Sequence, residues 1–171
     1  MTALPPRMYE ELLRLLVALD GVRQNPAYHP EEDALYHSLQ VFDLARAATS
    51  DRALWAAALL HDVGKSVSSQ DHDDIGADLL EGVASPRIVW LVRHHLDLLH
   101  EPGLTKRRLR GTQALADLGR LRRWDVGGRS PHASVLSPED ALSLLFEGAD
   151  LSLLADGGEP APLHDPRKEP C

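Results

Sequence analysis

The stretch Ala57-Ala58-Leu59-Leu60-His61-Asp62-Val63-Gly64-Lys65 sets an imidazole and a carboxylate side by side at the end of an apolar run. Neighbouring residues on a helix point about 100° apart, so His61 and Asp62 reach one ion only where the helix ends or bends. Gly64 allows that break. More donors of the same kind lie elsewhere in the chain: His37, on the flank of an apolar stripe; His72; and the pair His94-His95. His95 follows Leu91 at i+4 and faces inward, while His94 sits beside it toward the rim. Asp125 offers a second carboxylate. Mixed imidazole and carboxylate donors suit borderline first-row divalent metals better than calcium. With a carboxylate shared between two ions, they can clamp both oxygens of a phosphoryl displacement. A serine or cysteine nucleophile has no recognisable setting: Gly-x-Ser-x-Gly is missing, and the single cysteine, Cys171, lies in the tail.

These residues need elements to hold them, and the periodicity is helical nearly throughout. Leu12, Leu13, Leu15, Leu16 and Leu19 line an opening helix that stops near Gly21. A second helix is expected from Pro30 to about Ala48, with Glu31, Glu32 and Asp33 near its positive end and Leu35, Leu39, Phe42 and Ala45 as a buried stripe. A third, Asp51 to about His61, is rich enough in Ala and Leu to be central. Further helices are expected at 73–83, from Pro86 to Leu96 or Leu99, at 105–118 and at 137–155, where Ser137-Pro138-Glu139-Asp140 combines a serine cap, a first-turn proline and an acidic residue. No alternating strand pattern is found. The expectation is an all-α, single-domain bundle of six to eight helices over 1–156, followed by a flexible Pro- and Gly-rich tail over 157–171.

The 171 residues suffice for one domain with its own core. No apolar run approaches the ~20 residues of a membrane span, and the N-terminus lacks the pattern of a signal peptide. One cysteine excludes a disulfide framework, so a cytoplasmic location is expected. The net charge of −8 argues against a general nucleic-acid coat protein. The charge is uneven, however. Eight of the 18 basic residues fall between Lys106 and Arg129, opposed only by Asp117 and Asp125. The segment is either a solvated helix face or a local field for an anionic substrate.

The order His37…His61-Asp62…Asp125, with HDVGK intact, resembles the HD superfamily of metal-dependent phosphohydrolases over nearly the whole chain. DHDDIGA, with His72, is similar to the family's histidine-acidic-x-Gly-Ala segment, and LVRHHL to the later helix of its dinuclear members. Trp124-Asp125-Val126-Gly127-Gly128-Arg129 and the preceding LTKRRLRGTQALADLG resemble the HD domains attached to bacterial tRNA nucleotidyltransferases. The resemblance implies a primary metal site of His37, His61, Asp62 and Asp125, with Asp62 bridging to a second ion. It implies that His72, His94 and His95 supply the second site, His95 being the stronger of its pair. Asp33, one turn before His37, matches an acidic ligand of members with extra metals, although a first-turn Asp is otherwise a dipole partner. Lys65 and Arg129 become phosphate contacts. His29, His100, His132 and His164 match nothing and are expected at the surface.

The cofactor implied is one or two divalent ions among Mn, Fe, Ni, Co, Zn and Mg. The activity implied is hydrolysis of a 2′,3′-cyclic nucleotide or nucleoside phosphate by a metal-activated water. The alternatives are symmetrical dinucleoside polyphosphate hydrolysis and a catalytically silent nucleotide-binding module. Cyclic-di-GMP hydrolysis is disfavoured, because no Gly-Tyr-Pro follows His94-His95. The expected partner is a small phosphorylated molecule or an RNA end, with no membrane.

Overall fold

A computed structural model describes residues 6–148 and 151–155, and its regular structure there is helical, with two isolated bridges and no strand. The fold is all-α, as expected. The described residues hold nine α-helices: α1 (Pro6–Val17), α2 (Ala34–Ala48), α3 (Arg52–Leu60), α4 (His72–Leu80), α5 (Pro86–His94), α6 (Asp97–His100), α7 (Pro102–Arg108), α8 (Gln113–Gly127) and α9 (Pro138–Leu145). Single 3-10 turns occupy Val63–Ser66 and Leu151–Leu153. The expected tail over 157–171 lies outside the described residues. None of the described helices is long and apolar enough to cross a membrane.

Helix α3 is the centre of the bundle. Asp51 caps it by accepting from the amides of Ala53 and Leu54, and Ala53, Ala56, Ala57 and Ala58 are all buried. Such small side chains let backbones approach closely, and α2, α5, α8 and α9 all pack against it. Its faces feed two apolar clusters. Ala53, Ala56, Leu59 and Leu60 join residues of α1, α2 and α9, whereas Leu54, Ala57 and Ala58 join Trp90, Leu118, Leu121 and Trp124.

The helix expected from Pro86 to Leu96 or Leu99 ends at His94, and α6 follows it as a separate turn; three further boundaries differ, each for a local reason. α2 begins at Ala34, not Pro30. Glu32 adopts a left-handed backbone (φ 59°), which no helix can run through. Asp33 then caps α2, its Oδ1 accepting from the Tyr36 amide at 2.9 Å and its Oδ2 from the Gly21 amide at 2.7 Å. Both oxygens of Asp33 are therefore engaged in tying α2 to the end of α1. The expected 105–118 helix is two helices, broken where Gly111 takes φ 75° and Thr112 caps α8 by accepting from the Leu115 amide. The helix expected over 137–155 stops at Leu145, and Gly148 (φ 81°) turns the chain. The last described stretch then returns to the bundle, the Ser85 amide donating to the Leu153 carbonyl at 2.8 Å.

Candidate metal centre

The end of α3 presents the His-Asp doublet as its spacing required. Helical geometry stops at Leu60, His61 is the cap, and the 3-10 turn begins after Asp62. Gly64 contributes differently from the expectation. It does not supply an unusual backbone angle; it supplies room. A Cβ there would collide with the His72 carbonyl and sit 2.7 Å from the Gly76 amide nitrogen. The start of α4 therefore lies directly on the turn, and His72 is brought beside Asp62.

Six of the expected ligands converge. α2 brings His37, the cap of α5 brings His95, and α8 brings Asp125; all are buried. Asp62 stands between two groups. Its Oδ2 lies 3.4 Å from His61 Nε2 and 3.8 Å from His37 Nε2, and Asp125 Oδ1 is 3.2 Å from the same His37 nitrogen. Its Oδ1 lies 3.1 Å from His72 Nε2 and 3.8 Å from His95 Nε2. Two three-residue sets, His37-His61-Asp62 and Asp62-His72-His95, are each compact enough to hold an ion.

The ring orientations point the same way. The Nδ1–H of His61 donates to the Ala58 carbonyl, that of His72 to Ser69 and that of His95 to Val92, at 2.8, 2.9 and 2.6 Å. His37 Nδ1–H faces the Gly128 carbonyl and Glu31 Oε1, both at 2.8 Å. Each bond fixes the tautomer that turns Nε2 inward. The Nε2 atoms of His61, His72 and His95 are buried with no hydrogen-bond partner, so the donor set fits a divalent cation.

Charge is distributed accordingly. Burial pushes His61 down to about 4 and also lowers His95, keeping both neutral. Burial alone would raise Asp62, but the charges of Lys65 and His37 hold it well below the usual carboxylate range. Burial opposes the charge on His37 too. There the hydrogen bonds to Asp125 and Glu31 and the charge of Asp62 win, raising it to about 9. Asp125 is lowered in turn: burial opposes this, and the hydrogen bond and charge of His37 outweigh it.

A pocket of about 190 Å³ opens onto Asp62, His72, His95 and Asp125. Three cations line it. Lys65 Nζ is held 2.7 Å from Asp62 Oδ2 and 2.6 Å from Gln24 Oε1. Arg129 reaches the Tyr28 carbonyl at 3.0 Å and lies 3.6 Å from Asp125 Oδ1. Arg122 donates to Asp125 Oδ2 at 2.9 Å. His94 is not brought to this group. Its Nδ1 lies 2.7 Å from Asp97 Oδ2, and its ring lies tilted on Trp90 with centroids 4.4 Å apart. Asp33 is likewise elsewhere, on its caps. Arg122, Gln24 and Glu31 join the site without any motif in the sequence to single them out. His29, expected as a surface residue, is half-buried and lines the pocket, while His100 lines it too but is exposed, as expected. His132 is exposed, as expected, and His164 lies outside the described residues.

Comparison with known proteins gives the family of the chain. The HD domain family model matches residues 34–143, which contain all six converging residues. The Multifunctional CCA protein of Halorhodospira halophila is 32% identical over 164 residues, covering 86% of this chain and 34% of that protein. That of Methylobacillus flagellatus is 32% identical over 189 residues, covering 90% and 46%. That of Hahella chejuensis is 35% identical over 104 residues, covering 48% and 25%. The chain thus spans less than half the length of these relatives. It belongs to the HD domain family, a superfamily of metal-dependent phosphohydrolases.

Proposed function

We propose that the protein hydrolyses a nucleotide-like phosphate ester, a 2′,3′-cyclic nucleotide or a nucleoside phosphate. In this reading His37, His61, Asp62 and Asp125 hold one divalent ion, and Asp62, His72 and His95 hold a second. The observation that carries the reading is the division of Asp62, whose two oxygens face different histidine sets with their Nε2 atoms turned inward. A bound divalent ion supplies Lewis acidity and lowers the pKa of a coordinated water. The chain's own residues do the rest. Asp62 spaces the two positions, and the backbone carbonyls behind the histidines prevent the rings from rotating. Lys65, Arg122 and Arg129 ring the pocket and stabilise the charge that grows on a phosphate.

The nucleotide assignment is supported by the similarity to the Multifunctional CCA proteins. An RNA 3′ end as the natural form of the substrate is supported by Arg122 of α8 at the pocket and by the exposed basic residues of α7, which packs on α6. A second reading, symmetrical hydrolysis of dinucleoside polyphosphates, is supported equally by the same histidine set, the His72-His95 pair included.

One screen tests these readings: purified protein with Mn²⁺, Fe²⁺, Ni²⁺, Co²⁺, Zn²⁺ or Mg²⁺ against cyclic nucleotides, nucleoside monophosphates and dinucleoside polyphosphates. Metal-dependent turnover of a cyclic or monophosphate substrate, lost in His61→Ala, is the expected result. Turnover of dinucleoside polyphosphates alone would select the second reading. Nucleotide binding without metal uptake or hydrolysis of any of these substrates would leave a silent binding module and overturn both.

A further inference from the structure

Glu31 is a carboxylate that the chemistry above leaves unused, and its setting is unusual. The side chain is wholly enclosed, at 0% exposure. Oε1 accepts from His29 Nδ1–H at 2.9 Å and lies 2.8 Å from His37 Nδ1. Oε2 is buried with no hydrogen-bond partner. A carboxylate removed from water with one oxygen unsatisfied is costly unless opposite charge lies close by. The turn that carries it is specialised as well. The Glu32 amide donates to the His29 carbonyl at 2.9 Å and the Asp33 amide to the Glu31 carbonyl at 2.7 Å, while Glu32 itself takes the left-handed backbone that side chains rarely adopt.

The four inward-facing histidines differ in what stands behind them. His61, His72 and His95 each lean on the carbonyl three residues earlier in their own segment. His37 faces a carbonyl too, but it alone also has a carboxylate from a separate turn. A neutral carbonyl fixes a ring; a carboxylate fixes it and adds a full negative charge, making the opposite nitrogen a stronger donor.

We propose that Glu31 is a positioning residue of the metal centre, holding the His37 ring with Nε2 toward the ion and setting a third buried negative charge behind Asp62 and Asp125. The role rests on His37, His61, Asp62 and Asp125 being an ion site. An ion held by His37 Nε2 would set opposite charge across the ring from this enclosed carboxylate, whose Oε1 faces His37 Nδ1 at 2.8 Å. His29 shares the same oxygen, so the carboxylate also ties one wall of the pocket to a ligand.

The test reads metal affinity without substrate, by competition between the full-length protein and a chromophoric chelator for Co²⁺. Glu31→Gln keeps the shape and the hydrogen-bond acceptor but removes the charge. It is expected to weaken the first-bound ion by about 10–100-fold, with a cooperative unfolding curve in the metal-free protein. Glu32→Gln, in the same turn but paired with exposed Arg23, is expected to bind as the wild type does. Should Glu31→Gln not unfold cooperatively, Glu31→Asp decides on the same readout, since it keeps the charge but withdraws it from His37. Affinity unchanged in the folded variant overturns the role of Glu31 alone. A wild-type protein that takes up no metal overturns the ion site with it.

Discussion

Asp62 is squeezed between histidines on both of its oxygens and a lysine on one, at 1% exposure. Replacing it with asparagine keeps the shape and removes the charge that both ion positions share. Asp62→Asn is therefore expected to lower metal affinity by more than the ~10–100-fold that outer-shell partners cost, with hydrolysis lost in parallel. Metal content after dialysis against chelated buffer, measured beside activity, checks it; a variant that keeps its full metal content contradicts the shared-carboxylate reading. The His61-Asp62 pair is legible in the sequence because the two types are adjacent and the apolar run before them announces burial. Glu31 is not. In the chain it reads as one of three consecutive acidic residues at an expected helix start, and only the left-handed Glu32 turns it inward. Arg122 is hidden in a basic stretch, where neighbours of the same charge give no reason to choose it. His94 and His95 are separable only by facing direction, and the i+4 relation to Leu91 selects His95 as the inward one.

At the scale of elements, the glycine in the doublet's turn sets where α4 docks. Gly64→Ala would drive a Cβ into the His72 carbonyl and against the Gly76 amide, backbone atoms that move only if α4 moves. The expected outcome is destabilisation at the upper end of the ~1–3 kcal/mol typical of overpacking, together with loss of the ion that His72 and His95 are proposed to hold. Thermal unfolding and metal stoichiometry measure the two; wild-type values for both would mean that α4 docks more loosely than these distances imply. The cap of α3 offers a second case. Asp51 accepts from two amides and pairs with Arg87, 2.7 Å away, which also reaches Asp117 at 2.9 Å. Burial alone would raise Asp51, but Arg87 holds it below its ordinary value. A carboxyl lowered on folding contributes stability that is fully present above its unfolded value of ~4 and fades as pH falls through the lower folded value. Asp51→Ala should cost about 0.5–2 kcal/mol at neutral pH through the lost cap, and urea titrations should find the gap narrowing below pH ~4. A gap that does not depend on pH would assign the whole effect to packing. Element types are legible here and several boundaries are not. Helical periodicity runs through 105–118 without interruption, so the break at Gly111 shows only in a backbone angle. Asp33 outranks Pro30 as a helix start because its side chain caps while Glu32 blocks.

Across the whole molecule, most described cations are tied down. Arg14 pairs with Glu11, Arg23 with Glu32, Arg46 with Asp43, and Arg93 with Asp74, Asp78 and Glu81, while Arg52 donates to three carbonyls. Within the basic stretch, Arg122 and Arg129 are tied to Asp125 at the pocket. Lys106, Arg107 and Arg108 on α7, Arg110 after it and Arg123 on α8 are different: all are exposed, and none makes an ion pair or side-chain hydrogen bond among the described residues. Of their elements, α8 lines the pocket, and α7 packs on α6 behind its wall. α6 places Leu99 and His100 on its wall, Thr105 of α7 donates to the Asp97 carbonyl at 3.2 Å, and Arg123 follows pocket-lining Arg122. If the pocket hydrolyses a phosphate ester as proposed, exposed positive charge on α7 and α8 of a protein of net charge −8 would suit a substrate longer than one nucleotide. Phosphates outside the pocket would meet α7 and release counterions, so binding would weaken steeply with salt. The triple change Lys106→Glu, Arg107→Glu and Arg108→Glu should then weaken binding of a short oligoribonucleotide ending in a 2′,3′-cyclic phosphate. The log–log salt slope should fall by up to about one for each phosphate that no longer meets a cation. Turnover of the corresponding cyclic mononucleotide should be unchanged, because these three side chains do not line the pocket. Fluorescence anisotropy across a salt series, run beside mononucleotide kinetics, separates the outcomes: equal losses on both substrates would place α7 in the pocket's own electrostatics, and no loss on either would make the basic face ordinary solvated surface.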